Sequence, residues 1–130
     1  MLIRNALAFC NGNFIPSTDI RMVRGVITDI GSEIRPYPCE HVFNAEGNYV
    51  LPGFVDIHIH GCHGYDVMNG ESDVHAMASS LIHEGVAAFL PTTMTASVDQ
   101  TRKALHGIRN AMSTQEYDES VILGTHMEGP

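Results

Sequence analysis

Apolar and polar positions alternate through the first fifty residues in short runs, Leu2 to Phe9, Arg21 to Ile30 and Val42 to Val50, the last broken at Glu46-Gly47-Asn48. The step Asn11-Gly12-Asn13 between the first two is a hairpin signal, because Asn and Gly tolerate the positive φ that tight β-turns require. These runs predict part of a small β-sheet over residues 1–50, with Pro36 and Pro38 marking a loop. From residue 51 the period changes. After a strand-like run from Leu51 to His60, the positions Val74, Met77, Ala78, Leu81 and Ile82 follow helical spacing. Gly85 supplies a stop, so a helix is expected over roughly 72–84. Val86 to Met94 is apolar on both faces, as a strand buried between a core and a helical layer should be, with Pro91 limiting it. Ser97 and Gln100 form a capping box for a second helix whose apolar face is Leu105, Ile108 and Met112. The run Val121-Ile122-Leu123 opens a final strand.

Strand, helix, strand, helix, strand with short connections implies a parallel sheet with right-handed crossovers. The expected fold class is therefore α/β, a small N-terminal β-sheet segment over 1–50 followed by a βαβαβ unit over 51–130. The polar constellations fall at the C-terminal ends of the strands: His58 and His60, Thr92 and Thr93, His126 and Glu128. Ligands bind at that edge in (β/α) barrels and in open doubly wound sheets alike, so position alone does not choose between them.

The chemistry starts from Leu51-Pro52-Gly53-Phe54-Val55-Asp56-Ile57-His58-Ile59-His60-Gly61. Alternate side chains of a strand share a face, so both imidazoles point the same way, with Phe54 and Asp56 behind them. A His-x-His pair is weak evidence by itself: eight histidines in 130 residues give about 0.4 such pairs by chance. Its place after a β-branched run, with Gly61 next to permit close backbone approach, makes it a metal-binding claw rather than a pair of surface histidines. Glu128 shares a face with His126 and completes a His/His/Glu set suited to zinc, iron, manganese or cobalt rather than magnesium or calcium. The plainer role for Glu128 is a helix-start carboxylate favoured by the macrodipole of whatever follows Pro130. His126 supports a ligand or touches substrate, and Asp56 orients an imidazole or bonds backbone. His63, Asp66 and Asn69, in the Gly-rich loop 61–70, are candidates for substrate contact. His41, His75, His83 and His106 are expected to be solvated.

Composition narrows the function. Hydrophobic residues at 44% and charged residues at 17% are those of a globular protein. A formal net charge of -8 argues against nucleic acid and anionic membrane surfaces as partners, while leaving a small anionic substrate open. No cationic start with an apolar segment and no window near the ~18 apolar residues of a membrane span is present, so a cytoplasmic location is expected. Cys10, Cys39 and Cys62 form no closed disulfide framework. Cys10 and Cys39 are expected in cores, and Cys62 as a small buried residue rather than a ligand. No basic cluster resembles a phosphate cradle.

The run 51–61 together with Gly64-Tyr65-Asp66-Val67-Met68, Leu90-Pro91-Thr92-Thr93 and His126-Met127-Glu128-Gly129-Pro130 resembles the amidohydrolase superfamily, and within it the N-acetylglucosamine-6-phosphate deacetylase family. The resemblance covers nearly the whole chain. Its opening motif is shared across the superfamily, whereas the closing motif resembles the deacetylase branch, in which a glutamate replaces the carbamylated lysine of dihydroorotase and hydantoinase relatives. The strands ending in Gly47-Asn48-Tyr49-Val50-Leu51-Pro52-Gly53 resemble the small sheet domain flanking the barrel in these enzymes. The resemblance implies that Glu128 binds a divalent metal directly, with His58 and His60 available to a second metal position, zinc or iron being expected first and manganese or cobalt next. It implies hydrolysis of the acetamide of N-acetylglucosamine 6-phosphate to glucosamine 6-phosphate and acetate. A carboxylate acts there as general base and then as acid. The family takes two further metal-binding histidines and that catalytic aspartate from later strands, beyond Pro130, so no catalytic residue is expected within this chain. A TIM-like barrel needs ~250 residues, so the chain is expected to be an incomplete barrel, truncated after its third strand and inactive alone. A homodimer is implied for the complete enzyme. The alternatives are a cyclic amidase of the dihydroorotase or hydantoinase kind, with a lysine as the decisive ligand, and a non-catalytic remnant serving as an interaction module.

Overall fold

The computed structural model describes residues 1–129, so Pro130 of the closing motif lies outside the described residues. The chain forms two compact units, Met1–Pro52 and Gly53–Pro130. In the first, β1 (Leu2–Cys10), β2 (Asn13–Val23) and β3 (Val26–Gly31) run antiparallel, while β4 (Val42–Asn44) and β5 (Tyr49–Val50) pair in parallel with β1. The β1–β2 connection is the expected Asn11-Gly12 turn, with φ of 49° and 81°. Two consecutive positive φ values match the twist of the flanking strands. The expected single run from Arg21 to Ile30 is instead divided by a second such turn, at Arg24 (φ 51°) and Gly25 (φ 77°). Ala6 and Ala8 of β1, Ile20 of β2 and Ala45 just after β4 form a small core.

Polar side chains pin the first unit. Asp19, 1% exposed, accepts from the backbone N–H of Asn5 and of Ile34. Arg21 and Glu40 form a buried ion pair at 3.0 Å, and the Arg21 guanidinium also lies 3.9 Å from the centre of the Tyr37 ring. The Arg21 hydrogen bond holds the Glu40 carboxyl below its ordinary range. Cys10 packs against the small core, but Cys39, expected in a core, is exposed at a φ of 63°. It sits in the Pro38 loop, where no strand pattern buries it.

The second unit opens with β6 (Phe54–Ile59), the short hairpin β7 (Gly61–Cys62) and β8 (Tyr65–Asp66), and a 3₁₀ turn at Val67–Asn69. Then come α1 (Glu71–Leu81), a 3₁₀ turn at Ile82–Glu84, β9 (Val86–Thr93), α2 (Val98–Thr114), β10 (Val121–Ile122) and β11 (His126–Met127). Strand β9 is central and parallel to β6 on one side and to β10 and β11 on the other. It continues through Pro91 to Thr93 rather than stopping there. The expected final strand is split at Leu123–Thr125, where Gly124 adopts a φ of 157°. Gly85 ends the first helical segment in the left-handed conformation, as expected. Both halves of the Ser97/Gln100 capping box form.

The core of this unit lies between the sheet and its two helices. Phe89 and Ile122 meet Val67, Val74, Met77, Ala78, Leu81, Ile108 and Ala111. The buried face of α2 differs from the expected one: Ala104, Gly107, Ile108 and Ala111 are buried, while Met112 is 41% exposed. Small residues win because the helices approach closely, and a Cβ on Gly107 would stand 2.6 Å from Gly70 Cα. Leu105 instead lines a groove with Val98 and Met127. No described helix is long and apolar enough to cross a membrane.

Candidate metal centre

The site grows from an irregularity in β6. Asp56 pairs with Phe89 and Ile59 with Pro91, so three steps along β6 answer two along β9 and one residue bulges. A bulge re-aims side chains and leaves backbone groups without ladder partners. Thr92 takes up one of them: its Oγ1 accepts from Ile59 N at 3.0 Å and donates to Leu90 O at 3.1 Å. His126 takes up another, its Nδ1 lying 3.0 Å from Ile57 O. Asp56 Oδ1 accepts the backbone N–H of His58 at 3.0 Å, the backbone role and not an imidazole contact. Gly61 follows because a Cβ there would collide with the Tyr65 carbonyl across the β7–β8 hairpin.

Three side chains converge. His58 Nε2 and His60 Nε2 are 3.2 Å apart, and His60 Nε2 is 3.0 Å from Glu128 Oε2. One ligand atom from each of the three lies within 4.8 Å of the others. Strand β6 supplies His58 and, one residue past its end, His60, and β11, in register with β9 through His126 opposite Thr92, delivers Glu128 just past its own end. Thr95 Oγ1 donates to the Glu128 carbonyl at 3.0 Å and fixes that end. The ring of His126 stacks on His58 with centroids 4.5 Å apart.

The donor set fits a cation. His60 Nδ1 lies 3.1 Å from the Thr92 carbonyl, which can only accept, so Nδ1 carries the proton and a neutral ring turns a lone pair on Nε2 toward Glu128 and His58. Lone pairs this close repel unless a positive charge lies among them. A proton bridges two such atoms, whereas a divalent ion satisfies all three. Ligand atoms about 2.0–2.2 Å from zinc in a tetrahedron stand about 3.3–3.6 Å apart, near the 3.2 and 3.0 Å of the two pairs that His60 makes. The side chains of His60 and Glu128 are 32% and 48% exposed, which leaves room for water and a substrate.

The other candidate residues are not in this group and have partners of their own. His63 meets Glu84 at 3.3 Å, both exposed. Asp66 Oδ1 accepts from Met68 N, capping the 3₁₀ turn, and its own N–H goes to Asp73. Asn69 also donates to Asp73, and that bond holds the Asp73 carboxyl below its ordinary range. Burial, then the Glu84 and Asp56 charges, push the Cys62 thiol up. His41, His83 and His106 are exposed as expected. His75 is not simply solvated: Nδ1 lies 2.9 Å from Glu119 and Nε2 3.0 Å from Thr114, tying α1 to the end of α2. Sequence pattern missed Thr92 as a backbone partner, since its role depends on a bulge in a different strand.

No family model matches the chain. A solved N-acetylglucosamine-6-phosphate deacetylase from Thermotoga maritima superposes with a TM-score of 0.76 at 29% identity, over 100% of this chain and 32% of that one. The chain thereby shares the α/β fold of the N-terminal part of an amidohydrolase-superfamily enzyme. In sequence, the chain is 34% identical to an N-acetylglucosamine-6-phosphate deacetylase of Lysinibacillus sphaericus, over 100% of this chain and 33% of that protein. Over its whole length the chain is similar to an N-terminal portion of N-acetylglucosamine-6-phosphate deacetylases. It is also 34% identical to an N-acetylgalactosamine-6-phosphate deacetylase of Escherichia coli O157:H7, over 85% of this chain and 28% of that one. The chain spans about a third of the length of the curated L. sphaericus relative (33%).

Proposed function

We propose that His58, His60 and Glu128 hold a divalent metal, zinc or iron before manganese or cobalt, in an enzyme that hydrolyses the acetamide of N-acetylglucosamine 6-phosphate. The observation that carries this is the convergence of two imidazole nitrogens and a carboxylate oxygen at the C-terminal edge of a parallel sheet. A metal held there would lower the pKa of water and polarise the amide carbonyl. The chain's own residues orient and pre-form the site: Thr92 fixes the tautomer of His60, and Thr95 fixes the strand end that presents Glu128. In this proposal residues 51–130 form the opening strands and helices of a TIM-like barrel and residues 1–50 part of a flanking sheet domain. The general-base aspartate comes from a later strand, the complete enzyme is a cytoplasmic homodimer, and this chain alone binds metal without turning over substrate. The galactosamine relative makes the C4 epimer the competitor to assay beside the glucosamine substrate.

The test has two parts. Metal affinity of the chain is measured by cobalt(II) titration with and without Glu128→Gln, which should weaken binding at least about tenfold. A chimera carrying this chain in place of the matching third of the L. sphaericus deacetylase is then assayed for acetate release, which should occur and vanish with the same substitution. Cobalt binding unchanged by Glu128→Gln overturns the ligand assignment and favours a cyclic-amidase site with a lysine ligand. A metal-loaded, folded chimera that releases no acetate from either epimer overturns the deacetylase assignment.

A further inference from the structure

We infer that His126 is a positioning residue for His58, acting through its Nδ1–H on the bulged backbone of β6 and not as a metal ligand. The inference rests on the metal-binding role proposed above and says how this chain keeps that site in shape.

The bulge between Asp56 and Ile59 places His58 on backbone that the sheet ladder does not hold. Its flanking peptide groups are held from elsewhere. On the N-terminal side, Ile57 O receives His126 Nδ1 at 3.0 Å. On the C-terminal side, Ile59 N donates to Thr92 Oγ1 at 3.0 Å, and the N–H of His58 itself goes to Asp56 Oδ1 at 3.0 Å. Of these supports, the His126 bond alone comes from the strand that also presents Glu128. It therefore couples the two sides of the candidate centre across β9, so that β6 and β11 cannot shift apart without breaking it.

Chemistry assigns the direction of the bond. A carbonyl oxygen only accepts, so the contact requires a proton on Nδ1 and leaves Nε2 without one in the neutral ring. The ring also packs on His58 at a centroid distance of 4.5 Å and an interplanar angle of 41°, which limits the rotation of the imidazole it faces. His126 is absent from the group whose ligand atoms converge. Its two-residue spacing from Glu128, which lies just past the end of β11, is the spacing at which an extended chain puts side chains on one side.

Side-chain amides separate these roles. The Nδ2 of asparagine falls near the place of imidazole Nδ1 and can donate to Ile57 O, whereas the longer glutamine places its amide near Nε2. Cobalt(II) affinity of the full chain is measured by absorption titration for wild type and for His126→Asn, His126→Gln and His126→Ala. Far-ultraviolet circular dichroism and thermal melting verify that each variant is folded. Loss of the support should weaken cobalt binding about 10- to 100-fold in the Gln and Ala variants, and Asn should restore it to within about threefold of wild type. If all three variants bind as wild type does, or if folded Asn loses as much as Gln, the inference is overturned. Glu128→Gln is run in parallel: unchanged binding there defeats the metal-site proposal itself, while weakened binding there with unaffected His126 variants defeats only the positioning role.

Discussion

Replacing Thr92 by valine should release one defined peptide group. Thr92 is 0% exposed, and valine has nearly its shape, so packing is kept while the hydroxyl is lost. The Ile59 N–H, between the two candidate ligand histidines, then has no acceptor at the β6 bulge. Leaving a buried donor unmet costs about 1–3 kcal/mol. The Leu90 carbonyl loses its contact with the hydroxyl as well, but a carbonyl has a second lone pair and loses less. The cost falls on local opening of β6, so the Ile59 amide should exchange its hydrogen about 5- to 150-fold faster at constant pH. Residue-resolved exchange followed by NMR reads this directly. The amide of Phe89, in the middle of β9, serves as the internal reference, and Thr92→Ser, which keeps the hydroxyl, should leave Ile59 slow. If Ile59 exchanges at the wild-type rate in a folded Thr92→Val variant, the hydroxyl is not its acceptor.

Phe89→Ala removes the largest fully buried side chain and should destabilise the second unit by about 3–5 kcal/mol, measured by urea unfolding of the helical signal. A loss below about 1 kcal/mol would mean the cavity collapses or the core is not closed around it. Glu40 titrates below its ordinary value of 4.5 because Arg21 donates to it. A group with a lowered folded value stabilises fully above the unfolded value and loses that contribution as pH falls through the folded one. Glu40→Gln should therefore flatten the acid limb of the first unit's stability, below about pH 4.5, and an unchanged acid limb would contradict the pairing. The pH dependence is read from thermal melts between neutral and acid pH.

Much of the second unit follows from local pattern. Strand alternation puts His58 with His60, and His126 with Glu128. Helical spacing marks Val74, Met77, Ala78 and Leu81, and the Ser97/Gln100 box starts α2 as expected. What stayed hidden depends on partners distant in sequence. The β6 bulge exists only against β9, so the work of Thr92 and the bond from His126 to Ile57, 69 residues away, leave no local mark. The same holds for His75 and Glu119, 44 residues apart. On α2 the choice between Leu105 with Met112 and Ala104 with Gly107 and Ala111 was set by how near Gly70 approaches, which periodicity does not encode. The turn at Arg24-Gly25 was masked because only one of its two residues is a usual turn former.

X-ray absorption of the chain loaded with one equivalent of zinc tests the candidate centre most directly. Two imidazoles and one carboxylate predict only nitrogen and oxygen neighbours at about 2.0–2.2 Å, with imidazole scattering from two rings that falls to one in His58→Ala. A sulfur neighbour at about 2.3 Å would assign Cys62 or another thiol as ligand. That result, or an imidazole count indifferent to His58, would contradict a centre built from His58, His60 and Glu128.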